Sequence, residues 1–173
     1  SVWISRQKDS LQLLLQSEVN TTFNNIEPLE RDVNHLFKHI KYHFPFIKTP
    51  RVITLTNNVD YQIKTVYSDS LLLISLDTFL GSENPLYDGI PSYIRKELDP
   101  KYIIVQIADK FGTFIIPPVE DRTFLARMIY EGKKLYLHDL LIPHVPIEDR
   151  IAYTKKEFNW ALENEKYVWQ YFI

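Results

Sequence analysis

The chain has 173 residues, 45% hydrophobic and 14% aromatic, enough apolar material for one packed core and too much for a disordered segment. With 20 Lys and Arg against 22 Asp and Glu, a net charge of −2 supplies no basic stripe for nucleic acid. Cysteine is absent, which removes disulfides, thiolate nucleophiles and thiolate-held zinc or iron–sulfur clusters together.

The longest purely apolar run, Leu71-Leu72-Leu73-Ile74, falls far short of the ~20 residues that cross a bilayer. Only four glycines occur, at 81, 89, 112 and 132. None has the close spacing with which backbone amides cradle phosphate, so dinucleotide folds and phosphate loops drop out. Ser1 is no initiator Met, and an apolar pattern is still running at Trp169-Gln170-Tyr171-Phe172-Ile173. The expectation is one domain over 1–173, cut from a longer precursor.

In chain order, Leu11, Leu14, Leu15 and Val19 recur at helical spacing. A second helix is expected after Ile26-Glu27, with Pro28 in its first turn and a stripe of Leu29, Val33, Leu36, Phe37 and Ile40, ending before Pro45. The period then drops to two. Runs at 50–56, 61–67 and 71–76, rich in β-branched and aromatic residues, predict three strands joined as an antiparallel meander. The third is apolar on both faces and is placed in the middle of the sheet.

A proline-punctuated loop over 77–91 leads to a helix over 102–111 begun by Asp99-Pro100, then to an extended piece over 113–116. A longer helix over 119–137 is expected to place Val119-Glu120-Asp121 in its first turn, and a last continuous helix runs from about Thr154 to Trp169. The sum is an α+β domain: N-terminal helices, a small, mainly antiparallel sheet, C-terminal helices.

Several side-chain patterns carry possible chemistry. His35, His39 and His43 recur every four residues, so a helix stacks them and a metal could bridge two. No acid is spaced with them, Lys38 and Lys41 repel a cation, and the stripe reads as a solvated flank whose His39 is dispensable for stability. The five histidines are followed by Leu36, Ile40, Phe44, Asp139 and Val145. None therefore opens the His-Glu pair of a metallopeptidase helix. Loop carboxylates at Asp60, Asp69, Asp77, Glu83 and Asp88 could serve a hydrolase, although such acids ordinarily form turns and caps. Glu131 stands beside Gly132, whose helical cost predicts close packing there, with Arg127 or Lys134 as partner to the acid. The rings near Asn164 and Glu165 read mainly as core, with Tyr167, Trp169 and Tyr171 as anchors for a partner if exposed.

The ordered series Phe44-Pro45, Val52-Ile53-Thr54, Ile74-Ser75-Leu76-Asp77-Thr78-Phe79-Leu80-Gly81, Pro91-Ser92-Tyr93-Ile94-Arg95, Met128-Ile129-Tyr130-Glu131-Gly132-Lys133 and Tyr153-Thr154 with Trp160, Asn164-Glu165 and Trp169 resembles the gliding-motility lipoprotein GldB family over residues 44–169. The resemblance implies an exported protein of the periplasm, held to a membrane, most naturally the outer membrane, only through a lipidated cysteine upstream of Ser1. It also implies a further C-terminal segment, and partners among envelope proteins of the gliding or secretion machinery.

That family is in turn remotely similar to zinc peptidases with a His-Glu-x-x-His helix and a later glutamate ligand. Gln106, Ile107, Ala108, Asp109 and Lys110 would match the first motif, and Glu131-Gly132 the second. Both histidine ligands and the general base would then be gone. The implied domain is a degenerate zincin-like scaffold, non-catalytic, without metal or cofactor, acting by protein contacts; a carboxylate- or zinc-dependent envelope hydrolase is the alternative. The residues expected to matter are Asp77 paired with Arg95, Gln106 facing Glu131, Tyr130 and Lys133 beside them in a relic cleft, and Asn164 with Trp169.

Overall fold

The computed structural model describes residues 9–172. Helix α1 (Ser10–Thr22) starts at an Asp9 cap, whose carboxylate accepts from Leu11 N, and buries Leu15 and Val19. Helix α2 (Glu27–His43) begins with Pro28 in its first turn and buries Val33, Leu36, Phe37 and Ile40. Both helices form where the periodicity placed them, and the α2 stripe faces the core; of the expected α1 stripe only Leu15 and Val19 are buried, while Leu11 and Leu14 are each 47% exposed.

Strands β1 (Arg51–Leu55), β2 (Thr65–Tyr67) and β3 (Leu71–Ser75) form a sheet in the order β1-β3-β2. The fold is α+β, and β3 is central as expected, with Leu72 and Ile74 fully buried. The sheet is mixed, however: β3 pairs antiparallel with β2 and parallel with β1. The expected meander and mainly antiparallel sheet are thus corrected. The cause lies in segment 56–64, which crosses the end of the sheet so that β2 lies two strand positions from β1 and the hairpin returns β3 between them. Residues 61–63 belong to that crossing, and β2 begins only at Thr65.

The 3₁₀ turns Leu76–Thr78 and Pro85–Tyr87, with the short α3 (Ser92–Arg95), carry the chain to a third 3₁₀ turn, Pro100–Tyr102, capped by Asp99. Helix α4 (Ile103–Ile115) follows and takes in residues 113–115 of the segment expected to be extended, leaving only Ile116 in extended conformation. Helix α5 (Phe124–Leu141) starts later than expected: Thr123 caps it by accepting from Ala126 N. Asp121 instead accepts from Thr123 N, so residues 119–121 stay outside the helix. After α6 (Ile147–Arg150), a Thr154–Glu157 capping box opens α7 (Lys155–Glu163). The expected single last helix breaks at Asn164, whose side-chain and backbone nitrogens both donate to the Trp160 carbonyl, and α8 (Glu165–Phe172) resumes beyond it.

One core joins α2, the inner face of the sheet, α4 and the C-terminal half of α5. Phe111 sits at its centre, edge-on to Phe44 at 5.5 Å and to Tyr67 at 5.6 Å between ring centroids. The N-terminal half of α5 and nearly all of α7 and α8 lie outside it. None of the described helices is long and apolar enough to cross a membrane.

Candidate functional site

Helices α4 and α5 pack side by side, and the reason is Gly112. A Cβ there would lie 3.3 Å from Lys134 Cγ and 3.6 Å from Leu137 Cδ1, so the absent side chain lets α5 approach. Gly132 has no such neighbour: nothing comes within 4 Å of a Cβ built on it. The close packing expected at Gly132 therefore occurs at Gly112 instead.

Across this crossing Lys134 Nζ lies 2.8 Å from Asp109 Oδ1 and 3.2 Å from Glu131 Oε2, with its side chain almost fully covered. Burial pulls its ammonium pKa down, but hydrogen bonds and charge from Asp109 and Glu131 outweigh that and leave it raised. Glu131 is thus neutralised by Lys134, one of the two cations expected in its own helix. Gln106 does not meet it. Its amide donates to Glu97 Oε2 at 3.4 Å, and the same oxygen holds Lys64 at 2.8 Å. Since the Glu131 side chain is 62% exposed, its ion pair belongs in the ~0–1 kcal/mol range of surface pairs, below the ~1–3 kcal/mol of a buried charge-assisted bond.

Asp77 and Arg95 also part company. Asp77 is fully buried in the turn after β3, and its carboxylate accepts from Asn57 N at 3.1 and 3.0 Å and from Val59 N at 2.9 Å. Those donors belong to the crossing segment, in which Asn58 and Val59 hold φ of 62° and 58°. Tyr87 donates to the Asp77 carbonyl and accepts from Leu80 N; burial, its leading cause, raises the phenol pKa. Arg95 Nε is buried without a hydrogen-bond partner among the described residues. Asp77 is therefore the clasp of a loop, with no part in an ion pair to Arg95.

Lys133 and Glu131 diverge as well. Lys133 borders a groove between α4 and α5 with Gly132, Ile115 and Leu137. Tyr130 and Glu131 face another, formed with Pro118 and Arg127. Asn164 is the hinge of α7 and α8, and Trp169 Nε1 donates to Glu165 Oε1 at 3.3 Å while the ring stays 42% exposed. The eight expected residues thus occupy several separate places. The rings expected mainly as core are outside: Trp160, Tyr167 and Trp169 are exposed, as are Tyr171 and Phe172 beyond them, Phe172 stacked on Phe124 of α5.

His35 and His43 are exposed, as expected of a flank. His39 is not: its Nδ1 donates to the Leu140 carbonyl at 3.0 Å and ties α2 to α5. Among the described residues no three His, Asp or Glu side chains are grouped to hold a metal. His138, which the periodicity did not single out, is 3% exposed, and neither ring nitrogen has a hydrogen-bond partner among the described residues. Its signal was in the sequence, one turn after Lys134 on the face of Leu137 and Leu141. Burial lowers its pKa below 6.5, helped by Lys134 and Arg150 and opposed by Asp109. Below pH 6.5 the unfolded chain therefore binds the proton first, and stability falls as pH drops from 6.5 through the lowered folded value. Melting temperature should decline over that window in the unmodified protein and decline less in His138→Leu; equal slopes in the two would contradict it.

No curated protein and no solved structure matches the chain. The model of the gliding motility protein GldB family does, over residues 1–173. Its span includes the Asp77 clasp, the α4–α5 crossing and the exposed aromatic helices, so the chain belongs to the gliding motility GldB lipoprotein family.

Proposed function

We propose that this chain is a non-catalytic docking domain of a periplasm-facing lipoprotein, tethered to the outer membrane, that holds envelope proteins of the gliding or secretion machinery. The observation that carries this is the aromatic surface of α7 and α8: Trp160 is 59%, Tyr167 69% and Tyr171 92% exposed, on two helices that add nothing to the core. Large rings left in water cost hydration free energy, and in interfaces the same rings supply the dominant anchors. In this reading α4 and α5 carry no peptidase chemistry. At the motif positions Gln106 turns to Glu97, Ile107 lies in the core, and Lys134 bridges the Asp109 and Glu131 carboxylates.

The test is a triple variant, Trp160→Ser, Trp169→Ser and Tyr171→Ser, placed in a gliding cell that lacks its own copy. Each change should cost less than ~1 kcal/mol of folding stability because little packing is lost. Lost anchors of ~2 kcal/mol each should weaken partner binding far more. Envelope levels should be normal and colony spreading abolished. Normal spreading by the triple variant, or stoichiometric zinc retained by the dialysed protein together with peptide hydrolysis, would overturn the proposal.

A further inference from the structure

The groove between α4 and α5 differs chemically from the aromatic helices. It is a wide-mouthed surface groove of about 580 Å³, a volume within the range of small-molecule sites. Phe44, Ile115, Ile116 and Leu137 supply its apolar walls, and Gly132 of α5 forms part of its lining. A glycine inside a helix costs stability, and the usual reason, a close helix crossing, applies to Gly112 and not to Gly132. A side chain at 132 would project into the groove. What glycine leaves there is room.

Two of the lining residues carry polar ends, Lys133 an ammonium and Tyr136 a phenol. Lys133 has no ion pair among the described residues, whereas its neighbour Lys134 is held by two carboxylates. The charge at the rim is accordingly an uncompensated cation beside apolar walls. A peptide laid in such a groove would bring a row of amide groups that these walls do not pair. A hydrocarbon chain brings none, and needs one partner for one head group.

We infer that this groove binds a free single-chain anionic amphiphile of the fatty-acid class, its chain over Gly132 and its carboxylate held by Lys133 and Tyr136. The site is separate from the aromatic surface of α7 and α8, so it stands or falls independently of the docking function.

The probe is dodecanoate, titrated calorimetrically below its micellar concentration, with dodecyl maltoside and dodecyltrimethylammonium as neutral and cationic counterparts. Dodecanoate should bind saturably, one per chain, and the cation at least about tenfold more weakly, given the charge at the rim. Gly132→Gln fills the floor with a helix-favouring side chain that meets no neighbour, so the fold is kept. It should weaken dodecanoate and maltoside alike by about tenfold or more. Lys133→Glu should weaken dodecanoate by a similar factor and leave the maltoside unchanged. Binding of several dodecanoates per chain, equal affinity for the cation, or an affinity in Gly132→Gln within twofold of the unmodified protein would overturn the assignment. So would binding confined to phosphatidylglycerol vesicles with none to dodecanoate, since the source would then be a membrane surface.

Discussion

Replacing Asp77 by Ala should lower folding stability by about 3–5 kcal/mol, because the buried carboxylate accepts from two backbone amides and charge-assisted bonds of this kind are worth ~1.5–3 kcal/mol each. The loss falls on a segment that cannot hold itself. Val59 is β-branched and sits at φ 58°, and Asn58 beside it at 62°; conformations of that kind persist only where the surroundings enforce them. Asn57 provides the rest of the enforcement, its amide donating to the carbonyls of Asp60 and Ile63 and its oxygen accepting from Asp60 N. At ~2–4 °C per kcal/mol for a domain of this size, the melting temperature should fall by about 10 °C. Asp77→Asn keeps one acceptor and turns an NH₂ toward the same donors, so its cost should lie between. Thermal denaturation followed by circular dichroism decides it, and a loss under 1 kcal/mol for Asp77→Ala would remove the carboxylate from the role of clasp.

The same segment explains what was legible in the sequence. A two-residue period tells which side chains share a face and a run apolar on both faces tells which strand is central, so β3 was placed correctly between its neighbours. Strand direction carries no such periodic mark. It depends on whether 56–64 is a tight turn or a crossing, and that depends on Asp77, about 20 positions away, reaching back to the amides of Asn57 and Val59. Helix existence was legible from apolar spacing, but the break at Asn164 was not, because it rests on the bonds that Asn164 makes to the Trp160 carbonyl.

The α4–α5 crossing shows the same division between local pattern and tertiary choice. Lys133-Lys134 reads as a pair of basic residues late in a helix, equivalent by spacing. The facing Gly112 makes them unequal: the helices approach where it has no side chain, Lys134 is drawn across to Asp109, and Lys133 is left in solvent at the groove. Charge thus follows packing here, and the carboxylate of Glu131 inherits its partner from a glycine on another helix.

Phe111→Ala should cost about 3–5 kcal/mol, the range for deleting a fully buried aromatic ring when the surroundings collapse only in part. Collapse is hindered at this position. The ring meets Phe44 at an interplanar angle of 64° and Tyr67 at 77°, so it fills the space between the end of α2, the β2 strand and α4. Tyr67 is itself tied in by Phe37 at 6.5 Å and Phe114 at 5.3 Å, and its phenol pKa is pushed up to about 12 by burial and by Asp69. It cannot follow the missing ring without abandoning those contacts. Phe44 is the neighbour freer to move, because it is only half-buried and its other face borders the groove. The melting temperature should therefore drop by about 10 °C. At a temperature where the variant is still folded, dodecanoate affinity should fall as well, since the wall formed by Phe44 has lost its backing, whereas the surface of α7 and α8 should bind its partner as before. Loss of partner binding by folded Phe111→Ala would mean that the two surfaces are coupled through the core, and a stability change below about 2 kcal/mol would mean that Phe44 closes the cavity.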